Sequence, residues 1–465
     1  MLRPLAAALS MTCALSTAQV RILTIGDSIT DEYEAIADLD NILTIGSVYP
    51  EPDPPSNNPR AFNWPELLES RRFEEADFGP QGEWGGIDYL FGFIPAPFGD
   101  LRYQGYQLNF AVVSLTSTDW VNILTGNTSG YDFPLPGFMN RTRSALFSTL
   151  PSADVVVILL GGNDLKNDYF AIFNDGPPEP LFDQIHDRLE TIHTIIRGEV
   201  PDTPIIVATV PDVGATPNIF EIYNTPGIQE ATRAKIAGMN QDIIDTFSAK
   251  DDTVVARVDN LTNDLLDIVL GEVSGPYDLN GTVFAIDGDR YNPADHIFCK
   301  DDFHPNTVGQ ALIANEIIAA INQVAATVEN FPGTITPFTN REILEQILFL
   351  DPDQPYLDWI APFALVADGP DDDPDRDGLP NLVEMILGTP PNAFSTPFTG
   401  GWPDGVSWTP VDDRYAALVA EESPDLGGWS PVPAERISTD GSQVTATPPA
   451  GEDHYFLRFH AVPRP

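Results

Sequence analysis

Ser28, Asp301 and His304 offer a hydroxyl, a carboxylate and an imidazole, the three groups that nucleophilic acyl transfer needs. A serine hydroxyl is a poor nucleophile near neutral pH and requires a base within hydrogen-bond reach. His304 can take that proton if a carboxylate holds its other ring nitrogen. Asp301, three residues earlier in Asp301-Asp302-Phe303-His304-Pro305, is spaced to reach back to the ring. Asn163, in Gly161-Gly162-Asn163-Asp164, can aim its amide at a developing oxyanion, and the glycines let backbone and substrate approach closely. Each piece has a plainer reading. Gly26-Asp27-Ser28 is ordinary turn composition, and an asparagine at that position also suits a helix cap. Among the six histidines, His186 and His193 sit three residues after Asp183 and Glu190 on one amphipathic helix, as exposed pairs would. His296 has Pro293 at that spacing, and His454 and His460 fall far downstream. Only His304 stands on a loop before a helix.

The elements that must position these groups alternate along the chain. Arg21–Ile25 is an apolar-rich strand running into Gly26-Asp27-Ser28, and Val155–Leu160 is a continuous apolar run ending in two glycines. Ile205–Val210 and Val254–Val258 read as further buried strands. Between them, Phe182, Ile185, Leu189, Ile192 and Ile196 mark one amphipathic helix, and Ile236, Met239, Ile243 and Phe247 another. Helices are also expected at 64–71 and 307–321. Strands alternating with helices predict an α/β fold with a parallel sheet covered on both faces. In such a sheet, loops at the carboxyl ends of strands converge where ligands bind, and Ser28 falls at such an end.

The order of the blocks is more specific than any one of them. Gly26-Asp27-Ser28-Ile29-Thr30, then Asn109–Ser117, then Gly161-Gly162-Asn163-Asp164, then Asp301-x-x-His304-Pro305 resembles the SGNH/GDSL hydrolase family over roughly residues 20–324. The resemblance implies a flavodoxin-like three-layer α/β/α sandwich and no cofactor or metal in catalysis. It assigns the nucleophile to Ser28, the base to His304 and the orienting carboxylate to Asp301. It places the oxyanion donors at the Ser28 N–H, the Asn163 side chain and an N–H of the second block. There this chain departs from the family pattern, because Ser114 stands where glycine is usual. If that position needs a positive φ, either Ser114 is strained or the donor shifts by a residue.

Composition narrows the partners. Sixty-nine acidic against 23 basic residues give a net charge of −46 and a pI near 4.1, which repels nucleic acid and anionic membranes. Residues 1–18 read as a signal peptide, with Arg3, an apolar stretch from Leu5 to Leu15, and Ser16-Thr17-Ala18 before cleavage. Secretion is therefore expected, with no transmembrane segment in the mature chain. Removal of that leader takes Cys13 and leaves Cys299 alone, so no internal disulfide can form; a small buried residue is the simplest role for it.

After a hydrolase domain at 19–325 the chain changes character: a linker at 326–360, a calcium segment at 361–395 and a small β-rich module at 396–465. Asp373, Asp375, Asp377, Gly378 and Glu384 fit the spacing of an EF-hand loop, with acidic positions one, three and five, glycine at six and glutamate at twelve. Leu379 would add its carbonyl, and Asn381 its side chain directly or through water. Hard oxygen donors in this pattern suit a structural Ca²⁺ tying the linker to the β module. Trp402, Trp408 and Trp429 of that module are expected mainly as core.

The function expected is a secreted serine carboxylic-ester hydrolase, acting through an acyl-enzyme and deacetylating acylated carbohydrate. The alternatives are a lipase or lysophospholipase on longer acyl chains, and a non-catalytic carbohydrate-binding or adhesion protein that keeps an esterase-like fold.

Overall fold

A computed structural model describes residues 19–33, 61–174, 179–289, 293–401, 404–451 and 455–465. The leader expected at 1–18, together with Trp402 and His454, lies outside the described residues. Among the described residues nine strands precede the β module, seven of them before residue 260. Those seven are β1 (Val20–Gly26), β2 (Ala76–Asp77), β3 (Gln81–Leu90), β4 (Ile94–Tyr106), β5 (Val155–Leu159), β6 (Ile205–Ala208) and β7 (Thr253–Ala256). Two three-residue strands, Tyr277–Leu279 and Thr282–Phe284, form a small separate hairpin.

Five of the seven make one sheet in the order β2-β1-β5-β6-β7, all parallel. This is the flavodoxin-like order, with its reversal point beside β1 and β5. Both faces are covered. Val155, Val157 and Leu159 point into a core with Trp64–Arg71, Asp259–Val269 and Thr307–Thr327. Val156 and Ile158 point into a second core with Ser117–Thr125, Leu135–Thr149, Gly162–Phe173, Glu179–Glu199 and Pro226–Ser248. Burial on both faces is why β5 reads as five apolar residues in a row rather than an alternation. The expected three-layer α/β/α sandwich is the fold observed.

Three segments differ from the sequence reading. The Pro- and Gly-rich stretch before the second block forms a long antiparallel hairpin, β3–β4, with a register shift between Glu83 and Gly85. The stretch expected as a linker is packed: Ile335, Phe338, Ile343, Leu344, Ile347 and Leu348 join the first core, and Arg72 makes a two-pronged ion pair with Glu342 at 2.7 Å. His193 is buried against Thr253, not paired on the surface with Glu190, whose carboxylate takes Lys250 instead. Burial, with Arg197 and Lys250 nearby, depresses the His193 ring to about 4.

Past residue 398 the chain builds a four-stranded and a three-stranded antiparallel sheet. Trp408 is buried between them and meets Phe459 edge-on at 5.1 Å. Trp429 is only half-buried, beneath the Arg458 guanidinium at 4.6 Å.

Candidate active site

The strand β1 ends at Gly26, and the chain turns sharply because the Asp27 carbonyl accepts the N–H groups of Thr30 and Asp31 at 3.0 and 2.8 Å. A side chain on Gly26 would meet the Thr30 Cβ at 2.9 Å, so the turn closes only over glycine. The indole N–H of Trp120 donates to the Gly26 carbonyl at 2.9 Å and props the strand end from the opposite layer. Ser28 is thereby held at the carboxyl end of the sheet, 4% exposed.

The second half of the site hangs on a loop before the helix Thr307–Thr327. Asp301 Oδ1 accepts the N–H groups of Phe303 and His304 at 3.1 and 3.0 Å, which folds the loop back on itself. Asp301 Oδ2 meets His304 Nδ1 at 2.5 Å, and His304 Nε2 meets Ser28 Oγ at 2.7 Å. A neutral imidazole fits both contacts when Nδ1–H donates to the carboxylate and Nε2 accepts the serine hydroxyl. Burial pushes the Asp301 carboxyl up, but its hydrogen bonds from His304 and Phe303 and the His304 charge outweigh this and hold it below the usual value. Tyr33 fixes the loop further by donating to the Pro305 carbonyl at 2.8 Å. Cys299 is fully buried beside Tyr33 and Ala61.

The second and third blocks meet alongside. The Leu115 N–H donates to the Val112 carbonyl at 3.3 Å, and Ser114 has φ of 66°. A four-residue turn with positive φ at its third position is the pattern of a type II turn, where glycine is favoured. Ser114 therefore occupies the left-handed region that the sequence put in question. Asn163 lies in the first turn of Gly162–Phe173 but does not cap it. Its amide donates to the Leu115 carbonyl at 3.1 Å and lies 3.4 Å from Asp27 Oδ2. The N–H groups of Ser28 and Ser114 meet no acceptor among the described residues. The N–H groups of Ser28 and Ser114 and the Asn163 amide are donors of the kind that can receive a developing oxyanion.

Sequence reasoning missed a group of buried carboxylates behind this site. Asp27, Asp31 and Asp164 are 1%, 8% and 5% exposed. Burial raises Asp27 to about 6 and Asp31 to about 7. Asp164 accepts both the N–H and the hydroxyl of Ser117, at 2.9 and 2.7 Å, and so joins the second block to the third. The available signal was Asp31, a charged residue three positions from Ser28 in a segment that had to be buried.

The acidic loop downstream is also assembled. Asp373, Asp375 and Asp377 bring carboxylate oxygens within 4.8 Å of one another. Gly378, with φ of 92°, donates its N–H to Asp373 at 3.0 Å, which closes the loop. Asn381 and Glu384 are fully buried. One oxygen each of Asp373, Asp375, Asn381 and Glu384 is buried without a hydrogen-bond partner, while the Asn381 amide is held by the carbonyls of Ala367 and Gly369. Burial first, then the charges of Asp375, Asp377 and Asp373, push Glu384 up to about 8. Unpartnered buried oxygens on four side chains of this loop and the helix after it are a donor set that fits a hard cation.

No curated protein matches the chain. Among solved structures it is similar to a carbohydrate esterase family 3 protein from Talaromyces cellulolyticus, at 15% identity and a TM-score of 0.29, covering 66% of this chain and 100% of that one. It is similar to a family 3 carbohydrate esterase of Clostridium thermocellum, at 15% identity and a TM-score of 0.29, covering 67% and 99%. A catalytic mutant of an acetylxylan esterase from Geobacillus stearothermophilus aligns at 13% identity and a TM-score of 0.28, covering 66% and 96%. The model of the GDSL-like lipase/acylhydrolase family matches residues 22–317, the span that carries all four blocks. The chain belongs to the GDSL-like lipase/acylhydrolase family and is an ester hydrolase.

Proposed function

We propose that the protein is a secreted serine carboxylic-ester hydrolase that removes acetyl groups from acylated carbohydrate. The observation that carries the mechanism is the chain of contacts from Asp301 through His304 to Ser28 Oγ. His304 takes the serine proton as Oγ attacks the ester carbon. The oxyanion forms against the N–H groups of Ser28 and Ser114 and the Asn163 amide. The imidazolium, held by Asp301, then protonates the departing alcohol. Water deprotonated by His304 cleaves the acyl-enzyme and frees acetate.

The polar rim supports a hydrophilic alcohol. Ser114 is exposed, and Lys166 lies over the Phe303 ring at 4.0 Å beside His304. A second reading, longer acyl chains, is favoured by the apolar end of the β3–β4 hairpin. There Leu90, Phe91, Phe93, Ile94 and Phe98 are 56%, 85%, 73%, 43% and 43% exposed. Acetate release from acetylated polysaccharides, beside turnover of p-nitrophenyl esters from acetate to palmitate, separates the two. A preference for the long esters would replace the first reading by the second.

Ca²⁺ belongs to the same proposal, held by Asp373, Asp375, Asp377, the Leu379 carbonyl, Asn381 and Glu384, and serving structure rather than catalysis. Calorimetric titration that shows no calcium binding at millimolar concentration removes it.

A further inference from the structure

Ser114 pays for its position. A non-glycine residue at φ of 66° costs on the order of 1 kcal/mol or more, so something must hold it there. Besides the Asn163 amide on the Leu115 carbonyl, a side chain from a third segment restrains the residue before it. The Val113 N–H, one residue before Ser114 within the Val112–Leu115 turn, donates to Asp31 Oδ2 at 2.9 Å. Asp31 is itself fixed, because its N–H is bonded to the Asp27 carbonyl and its carbonyl accepts the Asn63 amide at 2.7 Å. The nucleophile turn and the second-block turn are therefore joined by one buried carboxylate, three residues from Ser28.

Resting on the reading of the Ser114 N–H as an oxyanion donor, we propose that Asp31 is a positioning residue that keeps Ser114 in its left-handed conformation through the Val113 N–H. In a type II turn the N–H of the third residue points away from the turn's own hydrogen bond, which is the direction a donor to an external oxyanion needs. Without the tether, serine at this position can relax toward negative φ and swing that N–H away. A glycine would hold the conformation without help. Asp31 thus does for this chain what a glycine does where the turn is unstrained.

The test is a double-mutant cycle on purified full-length protein with p-nitrophenyl acetate, each rate normalised to the folded fraction by circular dichroism. Asp31→Ala should lower kcat on the order of ten- to hundred-fold with KM within about two-fold, less than outright loss of an oxyanion donor. Asp31→Asn, whose amide oxygen can accept the same N–H, should recover most of that loss. In a Ser114→Gly background, Asp31→Ala should cost about three-fold or less, because glycine no longer needs the tether. If Asp31→Ala does not fold, Asp31→Glu, which keeps the carboxyl but displaces the acceptor by one methylene, is read in its place. Wild-type kcat in the Asp31 variant, or an equal loss in both Ser114 backgrounds, overturns the proposal. Ser28→Ala that still turns over at the wild-type rate overturns the underlying reading instead.

Discussion

The side-chain amide of Asn163 donates to the Leu115 carbonyl at 3.1 Å, so the third block of the family is bonded directly to the turn that carries Ser114. That bond holds one N–H of the amide, and the other, in a long 3.4 Å hydrogen bond to Asp27 Oδ2, is the one free to turn to an oxyanion at small cost. Asn163→Ala should lower kcat on the order of a hundred-fold or more with little change in melting temperature. Steady-state kinetics on p-nitrophenyl acetate check it, and a loss confined to KM would assign Asn163 to ground-state binding.

Ser28→Ala and His304→Ala should each reduce turnover by about four to six powers of ten, and combining them should cost little more than either alone. A fluorophosphonate probe should label the wild-type protein at Ser28 and fail on Ser28→Ala. Labelling that persists at another serine would relocate the nucleophile.

Trp120 bonds the Gly26 carbonyl from a helix of the opposite layer. Trp120→Phe keeps most of the buried ring and deletes the donor, leaving that carbonyl without its indole partner. The carbonyl keeps the Val112 N–H at 3.2 Å, so a loss of about 0.5–1.5 kcal/mol in denaturant unfolding is expected. Because Gly26 leads directly into the nucleophile turn, kcat should fall as well. Unchanged stability would mean that the Val112 N–H alone satisfies the carbonyl.

Glu384 gives the acidic loop a dependence on pH. Its folded value of about 8 stands above the ordinary 4.5, so the cation-free folded chain holds a proton that the unfolded chain has lost. Cation-free stability should therefore fall as pH rises from about 4.5 to about 8. A bound calcium needs the carboxylate, so its stabilising effect should grow across the same window and binding near pH 7 should release protons. Melting temperatures from pH 5 to 8.5, with chelator or with calcium, read both trends. Coincident curves would speak against the ion.

Much of this was legible because the fold repeats one rule. Apolar runs such as Val155–Leu159 announce strands buried on both faces, and a serine at the end of such a strand lies where the sheet reverses order. The Asp301–His304 spacing was legible because it is local, closed by hydrogen bonds within four residues. The β3–β4 hairpin was hidden by Pro95, Pro97 and several glycines, which weaken the strand signal although the ribbon forms. Asp31 was hidden because its partner lies 82 positions away in the chain, and spacing carries no signal at that separation. His193 was misplaced because helical periodicity marks a face, but what the face meets, here Thr253, comes from the neighbouring strand.

The helix Asn381–Leu387, which carries Glu384, turns Leu382, Met385 and Ile386 toward Tyr356 and Ile360, and Val383 and Leu387 toward Trp408 and Val432. One short helix is therefore shared between two apolar interiors, as a rivet is shared between two plates. Tearing the β module away from this helix would open both interiors together. Heat should melt the region downstream of residue 350 in one step, with the acidic loop acting as the catch that releases it.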